Sequence, residues 1–548
     1  MNDFSLQELK LIDPSMGSGH ILVYAFDVFM QLYEAEGETP RTAAELILEK
    51  NLFGLDIDKR AFQLSYFAMM MKGRQYSRRI LSKRIKPNVY VIPTHEILSE
   101  EELQLLNLPF PNAVKAHQDL TTLSEGFSTG NDLGSLIAFE GVDFNNLKAG
   151  IDAESAVSFL DQTLCEMVQV SELLQQKYAV VVTNPPYMGS SGFNATLAKF
   201  AKKAYPNSKS DLFAMFIERW NKPLLSGAYN AMVTMQSWMF LSSYETMRKN
   251  IINKLTIANM MHMENMVMGI AFGTVVTIFQ NKRIKEFKGT YHQIKTVDAS
   301  KGTPESVPVP GNRFNQISQD EFNKIPGSPI SYWVSEIIFS TFANIIPLGE
   351  LEKAGTGLQT SNGNRFLRFW YEIDTGMINK KWYHLAKGGS YRKWYGNNEY
   401  VVNWENNGSE IKESIVTRYP YLRGNYSLVV KNEKKYFASG VITSRVTSGK
   451  LSFRFSPNDE IFSDATTGIF PIHNHLFYLG LLNSPILTLI TELNPTLNFQ
   501  AGDLEKLPLI LPKTVVDFEK KVQILITISK IDWDSFEESW DFKKHPLI

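Results

Sequence analysis

The sequence predicts an α/β fold: a Rossmann-like, doubly wound domain over residues 1–300, followed by an α+β domain in the second half. Three observations lead there. Short apolar runs alternate with helix-spaced apolar residues through the first third of the chain. A Gly-x-Gly turn follows the first of those runs. Beyond about residue 330 the texture changes to short strands and turns rich in aromatics. At 548 residues the chain is also too long for one ordinary domain.

Taken in order, Leu9 to Asp13 reads as a short buried strand and Gly17-Ser18-Gly19 as the turn after it. His20 to Glu34 carries Leu22, Phe26, Phe29 and Met30 at helical spacing. Arg41 to Lys50 reads as a second helix, Leu52 to Asp56 as a second strand, Lys59 to Lys72 as a third helix and Asn88 to Ile92 as a third strand. Residues 100–175 read as a helical insertion with polar loops. The sheet resumes at Tyr178–Thr183 and Tyr229–Met235, and Ile257–Met263 with Val275–Asn281 reads as a hairpin. Pro304, Pro308, Pro310, Gly311, Pro326 and Gly327 mark 301–331 as a linker. Short strands fill 332–510, and 511–548 reads as a helical tail built on Val515 to Lys530.

Composition bounds the function. Hydrophobic residues make up 44% and charged residues 21%, as in a folded globular chain. No apolar run reaches the roughly eighteen residues a membrane span needs, and the first residues lack a basic-then-apolar secretion signal. One cysteine, Cys165, excludes an internal disulfide and a multi-cysteine zinc site. The expectation is a cytoplasmic protein without membrane contact or bound metal. The net charge is −1, yet Glu352 to Phe455 holds 17 Lys+Arg against 8 Asp+Glu. That local excess suits a face built for a polyanion, or a solvated basic surface.

Three motifs carry chemistry. In Asp13-Pro14-Ser15-Met16-Gly17-Ser18-Gly19 a strand enters a glycine turn where backbone can approach a ligand closely. Dinucleotides and S-adenosylmethionine both use such a turn. A dinucleotide site wants a third glycine where Leu22 stands, and an acid about 20 residues on, whereas Asp56 lies 37 residues after Gly19. Asp56, in Phe53-Gly54-Leu55-Asp56-Ile57-Asp58, is placed to accept both hydroxyls of a ribose, although Asp56 or Asp58 could also cap the next helix.

The third motif is Val180-Val181-Val182-Thr183-Asn184-Pro185-Pro186-Tyr187. Prolines fix φ and remove amide donors, which leaves carbonyls and the Asn amide to face a cleft. The exocyclic amine of adenine is a poor nucleophile, because its lone pair is delocalised into the ring. The Asn184 side-chain oxygen and the Pro185 carbonyl can hold its two hydrogens and favour a tetrahedral nitrogen. Tyr187 offers a flat face to a base taken out of the helix. The same polar pair could hold the exocyclic amine of cytosine.

With these motifs in this order, the chain resembles the amino-methyltransferases with an Asn-Pro-Pro-Tyr motif. More closely, it is similar to the adenine-specific DNA methyltransferases of BREX phage-defence systems and to type IIG restriction-modification enzymes. The stretches that carry this are LIDPSMGSGHILVYAFDVF, NLFGLDIDKRAFQLSYFAMMMKGR, VVVTNPPYMGSSG, SKSDLFAMFIERW, KIPGSPISYWVSE, YRKWYGNNEYVVNWEN and NPTLNFQAGDLEKLPL, between residues 11 and 509. The resemblance implies an S-adenosylmethionine-dependent domain followed by a target-recognition domain. It further implies that Asp13, Gly17 and Gly19 line the methionine part of the cofactor, that Asp56 holds its ribose and that Asp211-Leu212-Phe213 flank its adenine. Asn184, Pro185, Pro186 and Tyr187 would be catalytic, and Phe272 a base-stacking partner. The implied partners are double-stranded DNA and other defence subunits. Only ten residues precede Leu11 and 39 follow Leu509. Against the family this implies a chain shortened at both ends, so a binding module that lacks catalysis stays open as an alternative.

In the second half Lys381, Lys387, Arg392, Lys393, Lys434 and Lys435 are candidates to neutralise phosphates, with Lys387, Arg392 and Lys393 foremost. Trp382, Tyr383, Tyr391, Trp394, Tyr395, Tyr400 and Trp404 interleave with them, and most of these read as core. A second basic cluster, Lys72, Arg74, Arg78, Arg79, Lys83, Arg84 and Lys86, reads as a solvated surface. His20 and His95 read as local helix and loop residues rather than ligands or bases.

Overall fold

The computed structural model describes residues 5–99, 102, 109–152, 159–300, 302, 307–309, 313–343, 346–446, 450–485, 487, 499–510, 514–545 and 547–548. Two compact units divide the chain, Met1–Asn323 and Lys324–Ile548.

The first unit is built on one sheet of nine strands. These are β1 (Leu11–Asp13), β2 (Leu52–Asp56), β3 (Asn88–Val91), β4 (Tyr178–Thr183), β5 (Leu224–Met235), β6 (Thr256–Met263), β7 (Thr274–Gln280), β8 (Lys288–Ile294) and β9 (Arg313–Ser318). They lie side by side in the order β3-β2-β1-β4-β5-β7-β6-β8-β9. The first five in that order run parallel, and β7 enters antiparallel between β5 and β6. All three residues of β1 are buried, as a strand covered on both faces requires. The connection direction reverses between β1 and β4. Such a switch point opens a crevice at the carboxyl ends of the strands.

Helix α1 (His20–Ala35) packs Leu22, Phe26, Phe29 and Tyr33 into this unit's core, each side chain contributing about 1.5–3 kcal/mol on burial. Helix α2 (Pro40–Leu46) starts on a Thr39 cap, and α3 (Lys59–Tyr76) on an Asp58 cap. Between β3 and β4 the described residues hold helices Ala113–Phe127, Gly130–Leu133, Phe144–Asp152 and Phe159–Gln175. Buried Arg219 ties that insertion to the helix Leu212–Trp220, donating to the carbonyls of Ile137 at 3.0 Å and Leu174 at 2.8 Å.

The structure departs from the expected division at two points. The stretch read as a linker, 301–331, contains β9, which pairs antiparallel with β8; part of that stretch lies outside the described residues. An edge strand has one neighbour and needs few apolar residues, so its polar sequence disguised it. The stretch read as a tail holds the helix Val515–Trp533, which buries Val522 and Trp533 within the second unit. That unit has two four-stranded sheets. One, in the order β10-β17-β14-β15, comprises β10 (Gly355–Thr356), β14 (Gly440–Ser444), β15 (Phe453–Ser456) and β17 (Thr466–Ile469). The other, in the order β11-β13-β12-β16, comprises β11 (Leu367–Phe369), β12 (Trp382–Ala386), β13 (Tyr400–Asn403) and β16 (Glu460–Phe462). Among the described residues, no helix is long and apolar enough to cross a membrane, and no cluster of side chains could hold a metal ion.

Candidate active site

Three strand ends converge at the switch point. Asp13 closes β1 and is buried, with its Oδ1 accepting from Thr183 Oγ1 at 2.7 Å and from the Ser15 amide at 3.1 Å. Its Oδ2 is buried without a hydrogen-bond partner among the described residues. Burial pushes the carboxyl up to about 7, against the pull of the Thr183 and Ser15 hydrogen bonds. Asp56 closes β2 and takes two backbone amides, Gly17 on Oδ2 and Asp58 on Oδ1, each at 2.9 Å. The helix cap is Asp58 rather than Asp56. Asp56 instead knits the glycine turn to the end of β2.

The two glycines of that turn differ. Gly19 has φ +86°, and a side chain there would meet Ser65 Oγ at 2.6 Å, so it lets α3 close on the turn. Gly17 has φ +52°, and a side chain there would meet nothing within 4 Å. Its bare face looks into open space.

At the end of β4 Pro185 is buried, Asn184 and Pro186 are exposed and Tyr187 is half-buried. Ser15 Oγ lies 3.0 Å from Thr183 Oγ1 and donates to the Asn184 carbonyl at 3.2 Å, so the first and third motifs touch. The Tyr187 hydroxyl has one proton and two acceptors, Asn184 Oδ1 at 2.9 Å and the Val233 carbonyl at 3.1 Å. Burial, with Asp211 nearby, pushes this phenol up to about 12, so it holds its proton at neutral pH. Phe213 and Phe272 meet the Tyr187 ring edge-on at 6.2 and 5.9 Å.

Asp211 sits at the start of the helix Leu212–Trp220, and its Oδ1 accepts the Met188 amide at 3.1 Å. With Leu212 N–H on the Met188 carbonyl and Ser190 N–H on the Ser210 carbonyl, it clamps the segment after Tyr187. Burial pushes its carboxyl up.

These ends open on a cleft of about 330 Å³, lined by Pro14, Ser15, Asp56, Asn184 and Pro186 among the expected segments. Leu212 and Phe216, rather than Asp211, face it from the helix side. Sequence reasoning gave no role to the rest of the lining, which comprises Ile57, Ile92 and the insertion segment from Asn131 to Leu136. Ile57 was findable as the residue next to Asp56. The insertion segment carries no periodic signal; it is held in place by Asn194 Nδ2 donating to Asp132 Oδ1 at 2.7 Å and by Tyr205 donating to the Leu136 carbonyl. His20 and His95 bond locally, to Ser18 Oγ and the Glu96 carbonyl.

In the second unit, the three foremost phosphate candidates have partners of their own. Arg392 pairs with Asp532 at 3.0 Å and lies over Trp533. Lys393 donates to the Asn483 carbonyl at 2.9 Å. Lys387 lies 4.1 Å over the Tyr400 ring and lines a cleft of about 410 Å³ with Arg368 and Phe369. Of the interleaved aromatics Tyr395 and Trp404 are buried and Tyr391 is exposed. Residues 494–498 of the last resemblance stretch lie outside the described residues.

Residues 50–267 match the Eco57I restriction-modification methylase family. Over 99% of its length the chain is 37% identical to the adenine-specific methyltransferase PglX of Lacticaseibacillus casei (strain Zhang). Over the same share it is 35% identical to the adenine-specific methyltransferase BrxX of Escherichia coli O9:H4 (strain HS). It covers 47% of each, so the chain spans about half the length of these curated relatives. Among solved structures it shares the fold of the Type IIL restriction-modification enzyme MmeI in complex with DNA. That match has a TM-score of 0.55 and 13% identity, and covers 98% of this chain and 67% of the other. A nuclease-deletion mutant of the Type ISP enzyme LlaGI, in complex with a DNA substrate mimic, gives a TM-score of 0.53 at 11% identity over 95% of this chain and 44% of that one.

Proposed function

We propose that the chain, which is similar to the adenine-specific methyltransferases PglX and BrxX, transfers a methyl group from S-adenosylmethionine to the exocyclic N6 amine of adenine in duplex DNA, within a phage-defence or restriction-modification system. One observation carries the reading: Asn184 and Pro186, at the end of β4, line the same cleft as Asp56, at the end of β2.

The residues present fit the cofactor. Gly17 leaves room above its Cα, and Asp13 keeps a buried carboxylate oxygen without a partner, a counter-charge for a cationic group. Asp56 has lone pairs left for ribose hydroxyls after accepting two amides. Ile57, Ile92 and Leu136 give the adenine an apolar wall. Bound there, S-adenosylmethionine supplies an electrophilic methyl group.

The chain's own groups prepare the nucleophile. Asn184 Oδ1 and the Pro185 carbonyl accept the two amine hydrogens, which favours a tetrahedral nitrogen with an available lone pair. When the Tyr187 proton swings to the Val233 carbonyl, Asn184 Oδ1 is released for the amine. The Tyr187 ring face supports the extruded base. No strong base is needed, since the methylated amine can lose its proton to water. The second unit, with its basic excess, is the part we assign to reading the DNA sequence, with Lys387, Arg392 and Lys393 on that basic stretch.

The decisive experiment is Asn184→Ala, assayed by labelled methyl transfer to genomic DNA that lacks the modification. Asn184 acts on the transition state, so the rate should fall on the order of a hundred- to a thousand-fold, with cofactor and DNA affinities nearly unchanged. Methylation by the variant at the wild-type rate would make the loop structural and overturn the reading.

A further inference from the structure

The cleft occupies the carboxyl ends of the parallel strands; their amino ends carry a different chemistry. A lysine stands just ahead of each of the five parallel strands: Lys86 before β3, Lys50 before β2, Lys10 before β1, Lys177 before β4 and Lys222 before β5. These strands are neighbours in the sheet, so the lysines form a row; Lys10 donates to Gln176 Oε1 and Lys177 to the Lys222 carbonyl, each at 3.0 Å, and Lys222 lies over the Tyr205 ring, which leaves Lys50 and Lys86 as its unengaged members among the described residues. With strands about 4.8 Å apart, four intervals span about 19 Å.

The basic cluster that precedes β3 extends the row. From Lys72 to Lys86 there are seven cations and no acid. The segment is anchored: Ile80 and Ile85 are buried, Ile85 N–H bonds the Ile80 carbonyl, and Arg84 turns the chain at φ +57°. Anchoring those two apolar residues inward leaves Arg78, Arg79, Arg84 and Lys86 exposed on a fixed platform. Lys72 and Lys83 are spent on Asp27 and Glu45. Among the described residues, Lys50, Arg74, Arg78, Arg79, Arg84 and Lys86 have no carboxylate in salt-bridge reach. At the far end, Lys222 and Lys254 line a further cleft of about 400 Å³ together with Glu218, whose carboxylate accepts from Ser208 Oγ at 2.7 Å.

We propose that this amino-end rim is a second nucleic-acid-binding surface, which grips the phosphate backbone of a duplex segment other than the one whose base enters the cleft. A duplex carries one charge per about 1.7 Å of axis, so about 19 Å of it contains roughly eleven phosphates, those on the near side facing the row. On this rim the exposed cations outnumber the exposed apolar side chains Tyr76 and Leu81, a balance that suits that charge density, whereas a protein partner would want an apolar centre. The rim also lies a strand length from the cleft, about 16 Å for five residues, so one straight duplex would not serve both.

The test uses the full chain and two duplexes of arbitrary sequence, one fixed to beads and one labelled and free. Wild-type protein held on the bead duplex should capture the free one. The variant Lys50→Gln/Arg78→Gln/Arg79→Gln/Arg84→Gln/Lys86→Gln should capture at least tenfold less while still binding the bead duplex. Its slope of log affinity against log salt should be shallower by about four to five, since each lost phosphate contact removes about 0.9. The double variant Arg78→Gln/Arg79→Gln should show about two-fifths of that change, which covers the case of a quintuple variant that fails to fold. Equal capture by a folded rim variant would overturn the proposal, and so would competition by polyaspartate that exceeds competition by duplex at equal charge, which points to an acidic protein. Capture is read whether or not the chain methylates, so failure here and failure of the methyl-transfer reading are separable.

Discussion

At Asp13 a hidden carboxyl group makes a pH test available. Its folded value of about 7 stands above the unfolded value of 3.8, so between those limits the folded chain keeps a proton that the unfolded chain has lost. Stability of the protein without cofactor should therefore decline as pH rises from about 4 to about 7, by up to about 4 kcal/mol at 1.36 kcal/mol per unit. The Asp13→Asn variant should lack that decline in thermal melts. A cation held against Asp13 reverses the cost, so cofactor affinity should climb over the same window when followed by calorimetry. A decline of the same size in the variant would assign the proton to another group. Much of this scale was legible in the sequence. Asn184 to Tyr187 are contiguous, and in the proposed reaction one backbone turn would supply both acceptors and the stacking ring. The internal partners of Arg392 and Lys393 were not legible, because Asp532 and Asn483 are 140 and 90 residues away in the chain.

Elements explain why two glycines one residue apart should answer differently to the same substitution. Gly19→Ala forces a methyl group into α3 in a left-handed conformation, and should lower stability by about 1–3 kcal/mol, read as a lower midpoint in thermal or denaturant unfolding. Gly17→Ala meets no protein atom, so beyond its backbone strain it should act on cofactor affinity. Equal loss of stability in both would mean that the space over Gly17 serves packing alone. The strands and helices of the first unit were readable because buried parallel strands are short apolar runs and helices repeat their apolar residues every three or four positions. β9 and the Asn131–Leu136 wall were not, because an edge strand and a loop held by side-chain bonds leave no periodic trace.

For the whole molecule, the division into two units predicts separable functions. Residues 1–323 include every residue lining the cleft and should bind S-adenosylmethionine when produced alone, with an affinity within a few-fold of the full chain. Recognition of a particular DNA sequence should be lost with residues 324–548, as measured by methylation mapped on long sequencing reads. Site-specific methylation by the first unit alone would move target reading into that unit.

The order of strands in the sheet also has a temporal side. β1 pairs with β2 on one edge and with β4 on the other, and Ser15 reaches Thr183 and Asn184 across 168 and 169 residues of chain. At a synthesis rate of roughly 5–20 residues per second, the interval between the emergence of β1 and of β4 is on the order of 10–30 s. Throughout it β1 has one bare edge of amides and carbonyls, the kind of template on which stray strands assemble. The chain is thus exposed to mispairing before the Asn184–Tyr187 loop exists, and slowing translation within the insertion would lengthen that exposure.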